Sequence, residues 1–185
     1  MDDIPLISTQ RITLRKWRNS DREPFAQLNQ DPDVMTYLGA PMSRVESDAA
    51  IDKQLALMAA GEPAFWAVEE NQTRKFIGCI GGKRVTFKAA FTPCYEIGWR
   101  LSKAACGKGF ATEGARAALS LAFRDWDMEK IYSFTVHANI RSQSVMEKIG
   151  MSRIIDGDFK HPNLPEDHPL SEHVLYSIGR EVVAT

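Results

Sequence analysis

Glu96-Ile97-Gly98-Trp99-Arg100-Leu101, then Ser102-Lys103-Ala104-Ala105-Cys106, then Gly107-Lys108-Gly109-Phe110-Ala111-Thr112-Glu113-Gly114, is the stretch whose reading decides the fold. A strand-like segment feeds a turn carrying Gly107 and Gly109, and an amphipathic helical run follows as far as Phe123. A helix start leaves N–H donors without intrahelical acceptors, usually met by Ser, Thr, Asp or Asn. Ala105, Cys106, Gly107, Lys108 and Gly109 offer no such side chain, so the donors stay open to an external anion. The helix dipole favours negative charge there. Lys108 adds positive charge and Thr112 a hydroxyl. A pyrophosphate suits this turn; a plain tight turn with water-solvated amides is the alternative. The spacing is not that of a Walker A loop, and Gly114 comes too late for a dinucleotide fingerprint. Gly114 costs roughly 1 kcal/mol relative to Ala inside a helix, which anticipates a close contact at that position.

Working outward, Ala111, Ala115, Ala118, Leu119, Ala122, Phe123 and Trp126 share one helical face, rich in small residues that allow close approach to a sheet. Lys130 to Ala138 alternates as a strand, and Asn139 caps a helix holding Val145, Met146 and Ile149, which Gly150 ends. Upstream, Arg11 to Trp17 reads as a strand. Ser20-x-x-Glu23 and Ser43-x-x-Glu46 are capping-box patterns that open two helices, with Gly61 closing the second. Phe65 to Val68 and Phe76 to Ile80 form a hairpin, with Gly81-Gly82 as a bulge or bend before the strand resumes through Val85 and Phe87. Downstream, Ser152 to Ile155 and His173 to Ile178 are strands around a proline-punctuated loop over 156–172. The whole predicts an α+β protein, a mixed sheet with helices on its faces, forming one domain over residues 1–185.

The chain has 185 residues, 44% hydrophobic and 25% charged, enough to bury a substantial core. A net charge of −1 argues against nucleic-acid binding through a broad basic face. Met1-Asp-Asp-Ile-Pro5 is unlike a signal peptide and no apolar stretch is long enough to span a bilayer, so a cytoplasmic enzyme without membrane association is expected. Cys79, Cys94 and Cys106 are too widely spaced for a zinc or disulfide framework, and no metal is expected. His161, His168 and His173 match no metal pattern and read as solvated loop residues. Asp158, Glu166, Asp167 and Glu172 would give that loop an acidic rim favouring a cationic substrate, or a merely solvated surface.

The 96–114 stretch resembles the acetyl-CoA signature of the GNAT superfamily of N-acetyltransferases, within it the branch of the ribosomal-protein alanine N-terminal acetyltransferases. Asn139-x-x-Ser142-x-x-Val145-x-Glu147-Lys148-x-Gly150-Met151 resembles that branch's second motif. The resemblance implies a splayed, mostly antiparallel central sheet flanked by helices, with acetyl-CoA as co-substrate. It implies that backbone amides of Gly107, Lys108, Gly109, Phe110, Ala111 and Thr112 hold the pyrophosphate. Trp99 and Leu101 would offer strand backbone to the pantetheine arm, and Asn139 and Ser142 would touch that arm from its other side. Asn139 is equally explained as a plain helix cap, and Ser142 and Ser144 as exposed helix positions.

An amine acceptor must lose a proton, attack a thioester carbonyl and expel a thiolate; a free amine near pKa ~10 needs a base or a water relay. Glu96 stands where several superfamily members carry that base, with strand parity grouping it with Gly98 and Arg100 and opposing Tyr95, Ile97 and Trp99. A structural pairing with Arg100 or another cation is the competing role. Many relatives carry a tyrosine acid where this chain has Met146, which leaves Ser142 or Ser144 as substitute donors. Ala104 stands where Gln or Arg is frequent. The expected function is acetyl transfer from acetyl-CoA to a primary amine, a protein N-terminus or a small molecule, by a monomer or homodimer. A CoA-binding sensor without catalysis is the alternative.

Overall fold

In a computed structural model, residues 7–125 and 128–183 are described. The sheet contains β1 (Ile7–Ser8), β2 (Ile12–Arg15), β3 (Phe65–Glu70), β4 (Phe76–Val85), β5 (Cys94–Leu101), β6 (Lys130–Val136), β7 (Ser152–Arg153), β8 (Phe159–Lys160) and β9 (Glu172–Gly179). Its order is β1-β2-β3-β4-β5-β6-β9-β7, with β8 also on β9. Every described pairing is antiparallel except β5 with β6. The mixed α/β, mostly antiparallel architecture is therefore as expected.

The parallel β5–β6 pair decides the site. Its ladder contact is Glu96 opposite Tyr132, with the Ser133 hydroxyl donating to Ile97 O at 2.9 Å just beyond. From Gly98 to Leu101, β5 keeps its ladder with β4, pairing with residues Gly81 back to Gly78, and leaves its other edge open. The two central strands part there.

Helix α4 (Phe110–Asp125) buries Phe110, Ala115, Ala118, Leu119, Ala122 and Phe123 against this sheet. Trp126, expected on the same face, lies outside the described residues. A Cβ on Gly114 would strike Ile80 Cδ1 and stand 3.0 Å from Ile12 Cδ1, so this glycine lets the helix approach the sheet. On the opposite face sit α1 (Arg22–Gln30), α2 (Pro32–Met35) and α3 (Arg44–Ala59), around Trp17, Phe25, Leu28, Ile51, Ala67 and Cys79. Helix α5 (Ile140–Lys148) follows β6, and the short α6 (Arg180–Val183) follows β9.

Several local expectations are corrected. The Ser43–Glu46 capping box forms, but Ser20 opens no helix: Asp21 stands at the N-cap of α1. Its carboxylate accepts instead from Arg15 Nη1 at 2.7 Å and the Arg18 backbone N–H at 2.8 Å. Arg15, 3% exposed, also bonds Glu69 at 2.8 Å, so a buried ion cluster fixes where α1 begins. Gly81 and Gly82 make no bulge; the irregularity lies at Val68/Glu69 on β3. A Cβ on Gly81 would reach Ala64 O and come within 2.5 Å of Phe65 Cα, so backbone crowding is what requires glycine. Phe87 falls beyond β4, and the 156–172 loop contains β8, which pairs with β9.

Candidate active site

Gly107 and Gly109 take positive φ, +76° and +83°, turning the chain from β5 into α4. Glu113 N donates to Gly109 O at 3.0 Å as the helical ladder begins, so the N–H groups of Phe110, Ala111 and Thr112 precede it. Gly107, Lys108 and Gly109 are exposed, Ala111 and Thr112 half-buried, and Phe110 is packed in the core. A phosphate thus has access to first-turn amides on a turn anchored by one aromatic ring.

The brace behind this turn was invisible in the sequence. Arg11, on the approach to β2, donates through Nη1 to Lys108 O at 2.8 Å and through Nε to Glu113 Oε2 at 2.6 Å. Its guanidinium stacks 5.1 Å from the Phe110 ring centroid. Glu113 Oε1 accepts from the Thr9 hydroxyl at 2.6 Å and from Arg11 N at 2.9 Å. Partial burial pushes the Glu113 carboxyl up, but these donors together hold it below the usual carboxylate range.

From the turn a groove runs between Trp99, Leu101 and Phe110 on one side and Ile140, Arg141, Ser142 and Val145 on the other. It continues past Tyr37, Arg100 and Asn139. It ends in a cleft of about 1050 Å³, open to solvent, lined by Glu96, Lys83, Phe65, Phe134 and Met146. Trp99 and Ser142 border all three segments. The expected residues at 96, 99, 101, 107, 109–112, 139 and 142 thus border one run of connected segments where β5 and β6 part, while Lys108 is exposed and lines none of them.

Asn139 is both cap and wall. Its Oδ1 accepts from Ser142 N at 3.2 Å, and its Nδ2 donates to Ser142 Oγ at 3.0 Å and Thr135 Oγ1 at 2.9 Å. Met146 is 1% exposed and packed in the core, with a side chain that cannot donate a proton.

Glu96 lines the cleft with Gly98 and Arg100; Ile97 and Trp99, of the opposite parity, border it too, although Ile97 packs in the core. The cation beside Glu96 is Lys83, opposite it on β4, not Arg100. Nζ stands 3.1 Å from Oε2, but this buried oxygen has no well-directed hydrogen bond among the described residues. Burial raises the Glu96 pKa above the ordinary carboxylate value, and Lys83 offsets part of that rise. Such a carboxylate gains by taking up a proton. Burial also pushes the Cys79 thiol, in the same cleft, up to about 11, which makes it a poor nucleophile at neutral pH.

Two surface expectations are overturned. His161 and His173 are half-buried, not freely solvated: their rings lie 5.2 Å apart, packed on Phe134 and Phe159, and burial lowers both pKa values. The loop acids do not rim the cleft. Asp158 is held by Arg153 at 2.7 Å and faces His137 at 3.1 Å, and Glu96 is the carboxylate among the described lining residues. Trp17 and Phe65 line the cleft and Tyr37 the groove, while Trp66 is core.

Residues 11–152 match the acetyltransferase (GNAT) domain. The chain belongs to this family. It is 28% identical over 176 residues to the uncharacterized N-acetyltransferase YnaD of Bacillus subtilis (strain 168), covering 95% of this chain and 97% of that one. It is 29% identical over 185 residues to FsC-acetyl coenzyme A-N(2)-transacetylase of Aspergillus fumigatus, covering 96% and 77%. A GNAT-family acetyltransferase from Bacillus anthracis superposes with a TM-score of 0.76 at 27% identity, covering 95% and 98%. This GNAT protein is an acetyltransferase with acetyl-CoA as co-substrate, and no described helix is long and apolar enough to cross a membrane.

Proposed function

We propose that this GNAT enzyme works as one domain that acetylates a primary amine by direct attack on acetyl-CoA, with Glu96 receiving the amine's proton directly or through water. The supporting observation is the parting of β5 and β6 just past Glu96 and Tyr132, which joins the Gly107–Thr112 turn to Glu96 in one channel. Amides of residues 107–112 hold the pyrophosphate, and the open edge at Trp99 and Leu101 pairs with the pantetheine. Asn139 and Ser142 close the other side.

Chemistry then needs little from the protein. The amine nitrogen bonds to the thioester carbon, open-edge N–H groups of β5 meet the oxyanion, and the C–S bond breaks. Preorganised donors of this kind contribute roughly 3–4 kcal/mol each. With Met146 unable to donate, the thiolate leaves as an anion or takes a proton by way of Ser142, whose oxygen already accepts from Asn139. The test is thiol release from acetyl-CoA with amines and peptide N-termini, with the acetylated product identified by mass. CoA binding without turnover on any acceptor supports the sensor reading instead.

A further inference from the structure

Arg100 is the charged group in the cleft that acetyl transfer leaves unused. It lies four positions beyond Glu96 on the same face of β5, with side-chain-free Gly98 between them. Strand geometry puts roughly 7 Å between successive Cα positions on one face. An acid and a base therefore flank the space beside Gly98, and the Phe65 ring supplies its apolar wall.

The guanidinium is held by neutral groups. Nη1 donates to Asn29 Oδ1 at 2.6 Å and stands 3.7 Å from Met42 Sδ. Asn29 is fully buried and is itself fixed by donating to Ser47 Oγ at 3.1 Å. Among the described residues no carboxylate meets Arg100, although an arginine in a partly buried cleft is ordinarily paired. With Lys83 and Glu96 the lining carries a net positive charge, the wrong sign for a polyamine. Arg100 reaches towards Asn29 on α1 and borders both the cleft and the middle groove, and it is absent from the lining of the segment at the pyrophosphate turn.

We propose that Arg100 binds an anionic group of the acceptor, which makes the acceptor an amine that also carries a carboxylate, as in an amino acid with an apolar body. The acceptor carboxylate meets the guanidinium through charge-assisted bonds while its amine lies over Gly98 towards Glu96. This rests on the acetyl-transfer reading and adds the substrate class to it.

Two measurements test it. First, kcat/KM is compared for L-phenylalanine against phenethylamine and spermidine, in the wild type and in Arg100→Met. The acid is expected to be preferred. R100M should raise its KM on the order of tenfold to a hundredfold, far more than it changes the KM of phenethylamine, which lacks the carboxylate. Equal use of acid and amine, or a preference for spermidine, overturns the proposal. Second, the Arg100 Nε–H resonance of the CoA-loaded wild type, assigned by its loss in R100M, is followed with N-acetyl-L-phenylalanine or N-acetylphenethylamine added. A shift with the acid alone is expected, and no shift with the acid overturns the assignment even if no acceptor is turned over. Absence of turnover on every amine sinks the acetyl-transfer reading separately.

Discussion

Lys83 Nζ stands 3.1 Å from Glu96 Oε2, directly across the β4–β5 ladder, with the lysine half exposed at 53% and the glutamate nearly covered at 12%. The exposed cation tempers the charge of the covered base. Burial pushes the Glu96 carboxyl up and Lys83 pulls it partly back. Lys83→Met should therefore move the acid limb of the kcat/KM profile to higher pH. A limb that stays in place, measured by stopped-time thiol assays from pH 5 to 9, shows that Glu96 does not set it.

The same burial has a stability consequence. A carboxyl whose folded pKa lies above its unfolded value is favoured when protonated, so its contribution is present at acid pH and lost as pH rises through the folded pKa. Glu96→Gln should then raise Tm at pH 7 to 8 relative to wild type, and that gain should vanish near pH 4. A lower Tm at neutral pH contradicts the burial cost assigned to the Glu96 carboxylate.

Glu113 behaves in the opposite sense. Held below its ordinary value by Thr9 and Arg11 against the effect of burial, it stabilises the fold above its unfolded pKa and loses that contribution as pH falls through the folded one. Glu113→Gln should cost roughly 1–3 kcal/mol at pH 7 and less as pH drops below about 4. Because the same carboxylate anchors Arg11 beneath Lys108, the variant should also raise the KM of acetyl-CoA. Urea unfolding at both pH values and initial-rate kinetics check the two halves.

Gly81→Ala should be among the most damaging single-methyl changes, because the added carbon meets the backbone of Ala64 and Phe65 and not a movable side-chain tip. A loss of about 3 kcal/mol is expected, read as a drop in the urea midpoint. Asn139→Ala should cost about 1 kcal/mol as a lost cap, with a further rise in acetyl-CoA KM, since its amide also holds Ser142.

What was legible in the sequence was what neighbouring residues determine. The parity of Glu96, the glycine turn, the alanine face of α4 and the Asn139 cap are each fixed by local geometry. The Arg11–Glu113 brace joins residues 102 apart and has no periodic signal. Ser20 failed as a cap because Asp21, drawn to the buried Arg15, fixes the start of the helix. His161 and His173 read as loop residues until β8 paired with β9 and stacked them on Phe134 and Phe159. Arg100 reads as a candidate cation for Glu96 in the sequence, because its actual partner, Asn29, lies 71 residues away on α1.

The most direct measurement is the pH dependence of thiol release from acetyl-CoA, with an accepted amine, for wild type and Glu96→Gln side by side. Wild type should lose rate as pH falls, with a limb above the ordinary carboxylate range, while E96Q is slowed on the order of a hundredfold or more, has no such limb, and binds CoA with unchanged affinity. An E96Q enzyme that keeps both the rate and the acid limb of wild type would contradict the assignment of Glu96 as the group that takes the proton.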